Sequence, residues 1–436
     1  PNNHPDPDVR LSELRSAIKA VYASTFSASA RAYLQGTAHA LDEEKMAVVI
    51  QEVAGSRFGD RFYPHLAGVA QSRNFYPVGG QRAEDGVAII ALGLGHTVVS
   101  GGSALRFSPQ SPTVLPQFPT PRDFYRRSQN TFLALDLGRP QVDFATGPLA
   151  SIVTCKLEQA ESDGSLALAG STWSTADDAI RDTLKAVGPR LITFNNVLKW
   201  GAVPLAPALA RLLSMFRQGV GAEVEIEFAL ELATPPEVHR PRLCVVQMRP
   251  MAALDPAVAP LDEGEVAAER ILCRTARSLG RGRITSIRDI VYVRPGDLDG
   301  RKTAAAAAQV GQLNRTLGAE GRHYLLIGPG RWGSSDPTLG IPVDWSQISA
   351  ARVIVETPMA NRSIEPSQGT HFFHNVTALH IAYLTVGGPD ELLDQAWLDA
   401  QPAVTETPTL RHIRLPTPLD IRLSGPDGSA LALKPE

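Results

Sequence analysis

Cysteine is scarce in this chain. Three thiols in 436 residues, Cys155, Cys244 and Cys273, lie far apart and form no Cys-x-x-Cys pair. That excludes a disulfide scaffold and a zinc ribbon, and a reducing, cytoplasmic compartment is the expectation. An excess of one charge is lacking too. Forty-two Lys and Arg against 45 Asp and Glu leave a net charge of −3, with no basic run longer than two residues. The electrostatic footprint of a nucleic-acid or acidic-membrane binder is missing, so no nucleic acid and no membrane are expected as partners. Long apolar runs are absent as well. The longest, VAIIALGLG at 87–95, is under half the roughly 20 residues that a bilayer span needs. The opening PNNHPDPDVR shows no signal-peptide pattern.

What is present reads as globular. Apolar residues make up 43% and charged residues 20%, over a length that calls for more than one core. The Ala/Pro/Asp stretch MAALDPAVAPLDEG at 251–264 marks a change of composition. We expect a first domain over 1–252, a linker and helix over 253–284, and a smaller α/β domain over 285–436. Within the first, 11–35 has helical spacing, with a break near Ser27. KMAVVIQEV (45–53) and GVAIIALGLG (86–95) read as buried strands, TFLALDL (131–137) as a strand, and ITFNNVL (192–198) as a short one. The proline-rich 107–128 reads as an extended surface loop. LAPALARLLSMFR (205–217) places Leu205, Leu209, Leu212 and Phe216 on one helical stripe. After the linker, 265–279 reads as a helix. DIVYV (289–293), a helix over 303–317 and HYLLIG (323–328) make a strand–helix–strand unit, and ARVIVE (351–356) adds a strand. The tail 410–435 reads as short strands, while 369–386 fits helix and strand spacing equally.

The most telling pattern is EVEIEFALE at 223–231. Val224, Ile226, Phe228 and Leu230 alternate with acidic residues, as in a strand with one apolar and one acidic face. RLCVVQMR (242–249) follows a proline-rich loop and should close an antiparallel hairpin. Residues two apart share a face. Parity therefore puts Glu227 opposite Gln247 and Glu225 near Arg249. Neighbouring carboxylates on one face need solvation or neutralisation. Two readings stay open: a solvated surface strand with one salt bridge, or a site for a divalent cation such as Mg²⁺ with Arg249 beside phosphates.

EIEF followed by VVQMRP, AVVIQEV (47–53) and ALGLGHTVVSGG (91–102), in their order along 10–252, resemble the nucleotide-binding domain of the pyruvate, phosphate dikinase and phosphoenolpyruvate synthase family. The resemblance implies an α+β fold: the C-terminal part of an ATP-grasp-like domain, followed by the smaller α/β domain, whose role it leaves unknown. It implies ATP and Mg²⁺ as cofactors, with Glu227 and Gln247 as metal ligands. Glu225 takes the acidic position two before, and Arg249 the catalytic, phosphate-contacting position. Backbone groups around Gln51, Glu52 and Val53 would read the adenine edge. His96 stands where the family pattern has Glu. The Gly-Gly-Lys-Gly and Arg-Ser-Ser segments of the family do not occur, which sets the expectation of a partner N-terminal segment outside this chain. The implied activity of the complete protein is a kinase-type phosphoryl transfer from ATP to pyruvate or a similar small acceptor. The alternative is a non-catalytic nucleotide-binding or regulatory module, or an inactive fragment of a longer enzyme.

Two features of the C-terminal half stand apart. LLIGPGRWGSSDPTLGIP (325–342) runs from a strand into a glycine-rich loop that lacks the Gly-Lys-Ser/Thr of a phosphate-binding P-loop. Its amides around Gly330 could cradle an anion, with Arg331, Ser334, Ser335 and Asp336 as polar partners and Trp332 as a stacking ring, or it could be a purely structural loop. Thr370-His371 is the one local look-alike of the family's phosphorylated-His loop. His371, His374 and His380 lack a metal-ligand spacing.

Overall fold

The computed structural model describes residues 2–27 except 3, 30–31, 45–138 except 76, 78, 79, 116 and 119, 151–232, 241–251, 266–359 except 281, 297–299, 335 and 337, 376, and 381–435 except 389 and 425–427. Helix and sheet are mixed throughout, and the chain divides into two compact units. The first comprises Pro1–Ser27 and Glu44–Met251; the second contains Ala252–Glu436. Among the described residues no helix is long and apolar enough to cross a membrane.

The first unit is organised by a five-stranded antiparallel sheet. Its order is Arg242–Pro250, Val224–Glu231, Leu66–Gln71, Val87–Ala91, Leu105–Phe107. The alternation at 224–231 decides how this sheet is used. Ile226, Phe228 and Leu230 join Leu66, Ala70, Ala88 and Ile90 in the main core. The helix Leu205–Val220 contributes Leu205, Leu209 and Leu213 to the same core. It ends at Gly221, whose φ of 73° gives the left-handed cap. The other face carries Gln71, Val69, Glu225 and Glu227 in register. Over part of it Val98 and Val99, from the short helix His96–Val99, pack on Val69 and Ala91. Unlike a half-solvated surface strand, 224–231 is buried on both faces except at Glu227.

Several expectations change here. Residues 45–53 form no strand and are largely exposed, with Val49 at 76% and Ile50 at 68%. An apolar run reads as a strand only if a sheet accepts it, and the ladder of this sheet is completed by other segments. The N-terminal helix spans Pro7–Ser24, earlier than its apolar spacing suggests, because Asp6 caps it and Pro7 opens it. The 107–128 stretch contains a helix, Pro121–Arg127, started by the Thr120 hydroxyl and Pro121. Residues 192–198 split into the end of the strand Arg190–Ile192 and the helical turn Asn195–Leu198.

The second unit pairs two sheets. One has seven strands: Ser278–Leu279, Ala382–Thr385, Ala351–Thr357, Tyr324–Pro329, Asp289–Val293, Leu410–Arg414 and Ala403–Glu406. Four of these, from Asp289–Val293 to Ala382–Thr385, run parallel, and the helix Gly300–Ala319 makes the first crossover. The strand–helix–strand reading holds. The helix expected at 265–279 does not: Ile271–Thr275 is a strand of the second sheet, with Leu272 and Cys273 in the core shared with Ile290, Leu325 and Val353. Three consecutive apolar residues buried on both sides favour extended chain whatever their helical spacing.

Candidate functional site

The hairpin builds the site. Glu225 pairs directly with Arg249 and Glu227 with Gln247, as parity required. The register then slips: Phe228 faces Val245, so Val246 is an extra residue on the edge strand. Such a bulge reverses which face later residues occupy. The 247–249 half thereby aims at the acidic face while Val245 follows the phase of Phe228. The carbonyl of Val246 accepts a 3.1 Å hydrogen bond from Gln51 Nε2, a link that sequence reasoning did not supply.

Two rows cross three strands on this face. In one, Gln71, Glu225 and Arg249 lie side by side. Gln71 Nε2 donates to Glu225 Oε2, and Arg249 Nη2 donates to Glu225 Oε1. Glu225 is 5% exposed and Gln71 1%. In the other row, Val69, Glu227 and Gln247 are neighbours. Burial raises the pKa of Glu227; Arg249 works against that rise and Glu225 adds to it. A half-buried carboxylate opposite an amide oxygen is a set of hard oxygen donors, which fits Mg²⁺ better than a softer metal.

Gln71 is the participant that the sequence did not reveal. Nothing local in LAGVAQ says that this strand lies beside 224–231. The expected adenine-side residues Gln51, Glu52 and Val53 are exposed and outside any strand. The GLG turn sits where the short helix begins. Gly93 has φ +83°, and a Cβ there would meet Leu133 O at 2.6 Å. His96, half-buried, is the first residue of that helix.

The 330–334 loop of the second unit is differently built. Gly330 N donates to Thr357 O, Arg331 N to Leu339 O and Gly333 N to Ile341 O. Trp332 N donates to a Glu356 carboxylate oxygen at 3.0 Å. These amides are therefore committed to the fold, and the expected anion cradle does not form from them. Trp332 is 1% exposed, with its indole N–H on Val355 O, so its ring offers no open face for stacking. Ser334 is buried, and its hydroxyl bonds within the loop to Asp336. Gly330 lines a small open pocket at the carboxyl ends of the parallel strands, with Arg277, Glu356, Thr357, Thr385 and Gly387. Thr370, His371, His374 and His380 lie outside the described residues.

A carboxylate–amide row beside a carboxylate–guanidinium row, under a glycine turn and a short helix, defines a candidate nucleotide-binding domain of mixed helix and sheet. Residues 9–260 match the family "Pyruvate phosphate dikinase, AMP/ATP-binding domain". The chain belongs to this family. No curated protein matches it.

Proposed function

We propose that the first unit binds ATP with Mg²⁺ over the acidic face of the 224–250 hairpin, in an ATP-grasp-like manner. We propose further that the complete protein is a dikinase-type phosphotransferase acting on pyruvate or a similar small acceptor. The observation that carries this reading is the direct pairing of Glu227 with Gln247 and of Glu225 with Arg249 on one sheet face. Glu227 and Gln247 would hold Mg²⁺, and Arg249 would meet the phosphates as a charged donor. When bound, the cation would neutralise phosphate charge, the main demand of phosphoryl transfer. Gln51, Glu52 and Val53 remain the candidates for the adenine edge, and the pocket that Gly330 and Arg277 line is the candidate for a separate small ligand in the second unit.

A non-catalytic nucleotide-binding role is the second reading. It is favoured by Glu225, which is already occupied by Gln71 and Arg249, and by His96 at a position where the resemblance expects Glu. Calorimetry with ATP, with and without Mg²⁺, tests the shared core of both readings. Glu227→Ala should remove the Mg²⁺-dependent part of the affinity, and unchanged affinity would sink the site. Acceptor-dependent formation of AMP or ADP then separates enzyme from binding module.

A further inference from the structure

We propose that Glu231 is a positioning residue for base recognition: it holds the strap of residues 51–55 against the hairpin, so that the backbone of Glu52 and Val53 meets the base of a purine nucleotide. The inference rests on the nucleotide reading above and adds the residue that sets the base side of that site. Glu231 ends the strand Val224–Glu231, on the same face as Glu225 and Glu227. Its strand partner Arg242 donates to Oε2 through Nε at 2.7 Å and through Nη2 at 2.6 Å, and Glu231 is only 9% exposed. The other oxygen, Oε1, accepts from the amide of Gly55 at 2.5 Å, 176 residues away in sequence. A hydrogen bond to an ionised acceptor is roughly twice as strong as a neutral one. At the other end of the strap, Gln51 Nε2 donates to the Val246 carbonyl, at the bulge beside Gln247. The strap therefore runs along the hairpin from the level of Glu227 to that of Glu231. Gly55 fixes where it leaves: a Cβ there would lie 2.8 Å from Phe62 Cε1 and from the Tyr63 carbonyl carbon. Between the two tethers, the backbone groups of Glu52, Val53 and Ala54 have no hydrogen-bond partner among the described residues. Exposed backbone donors and acceptors suit the polar edge of a base, and they discriminate only where they are held in place.

A mere anchor of the fold and a residue that positions the base differ in their effect on two ligands. Tripolyphosphate carries the phosphate chain of ATP without its base. The full chain is titrated calorimetrically with each of the two, in the presence of Mg²⁺. Wild type should prefer ATP. Glu231→Leu removes the acceptor of the Gly55 amide. It should lower ATP affinity about tenfold or more and change tripolyphosphate affinity by less than about twofold. Glu231→Gln keeps an acceptor oxygen and should retain most of the preference. Arg242→Ala leaves the Gly55 bond but loosens the carboxylate, and should lower ATP affinity by less than Glu231→Leu, again with tripolyphosphate unchanged. Circular dichroism checks that each variant is folded; should Glu231→Leu fail to fold, Arg242→Ala decides. A folded Glu231→Leu that keeps the wild-type preference for ATP overturns the inference. So does an equal loss for both ligands, which marks Glu231 as support for the fold alone. Wild type that binds tripolyphosphate as tightly as ATP overturns the assignment of the base to 51–53. Wild type that binds neither overturns the nucleotide reading itself. The inference falls in both of these cases too, by results distinct from the first two.

Discussion

Arg277 grips Glu391 through two hydrogen bonds, Nε to Oε1 at 2.9 Å and Nη2 to Oε2 at 2.6 Å. Thr275 Oγ1 and the Gly387 amide add two more at 2.9 and 2.7 Å. Burial alone would raise the Glu391 pKa, but the Arg277 bond, the Gly388 amide and the Thr275 hydroxyl outweigh it and bring it down to about 2 from 4.5. A carboxylate with a lowered folded-state pKa stabilises above its unfolded pKa, and loses that contribution as pH falls through the folded one. The second unit should therefore lose on the order of 3 kcal/mol between about pH 4.5 and pH 2 through this group. Urea denaturation across that window measures it. Glu391→Gln should be less stable at pH 7 and should flatten much of the acid slope.

The guanidinium of Arg249 has a shape as well as a charge. Arg249→Lys keeps the charge but loses the planar fork. Losing a charged hydrogen bond to phosphate costs about 1.5–3 kcal/mol, so ATP affinity should fall roughly tenfold or more. Calorimetry in the presence of Mg²⁺ gives the number. Full retention of affinity would remove Arg249 from the phosphate site.

Gly93 should resist any side chain. Its φ of +83° is costly for other residues, and the added Cβ would lie 2.6 Å from Leu133 O. Gly93→Ala should destabilise the first unit by about 1–3 kcal/mol. Thermal denaturation monitors the fold, and ATP titration of the same variant shows whether the turn also matters for binding.

Trp332 separates a packing role from a ligand role. As a fully buried indole, its replacement in Trp332→Ala should cost about 3–5 kcal/mol in the second unit. Trp332→Phe should cost less. Chemical denaturation of both variants is the check, and a near-neutral Trp332→Ala would contradict the buried packing.

The hairpin was legible because its signal is periodic. Strict alternation at 224–231 fixes which residues share a face, and the polar pair Gln247 and Arg249 shows the same phase on the partner strand. The amphipathic helix from Leu205 was legible for the same reason. The bulge at Val246 was not, because a single extra residue leaves no periodic trace. Nor was Gln71, since its importance comes from a neighbour 154 residues away. Residues 45–53 and 265–279 misled through composition: Val49 and Ile50 are apolar but exposed, while Ile271–Thr275 has helical spacing but is an extended, buried strand. The helix at Pro121–Arg127 did announce itself, through Thr120, Pro121 and Asp123, beneath a proline count that suggested only a loop.

The Gln71–Glu225–Arg249 row also has a history within each folding event. Arg249 reaches Glu225 across 24 residues, but Gln71 reaches it across 154. The hairpin can close early, because short loops are inexpensive to order, whereas the long closure must await the intervening chain. On that order Glu225 and Arg249 would pair before Gln71 arrives to complete the row. A refolding experiment read by nucleotide binding should therefore lag one read by backbone structure, making binding competence one of the last properties that this unit acquires.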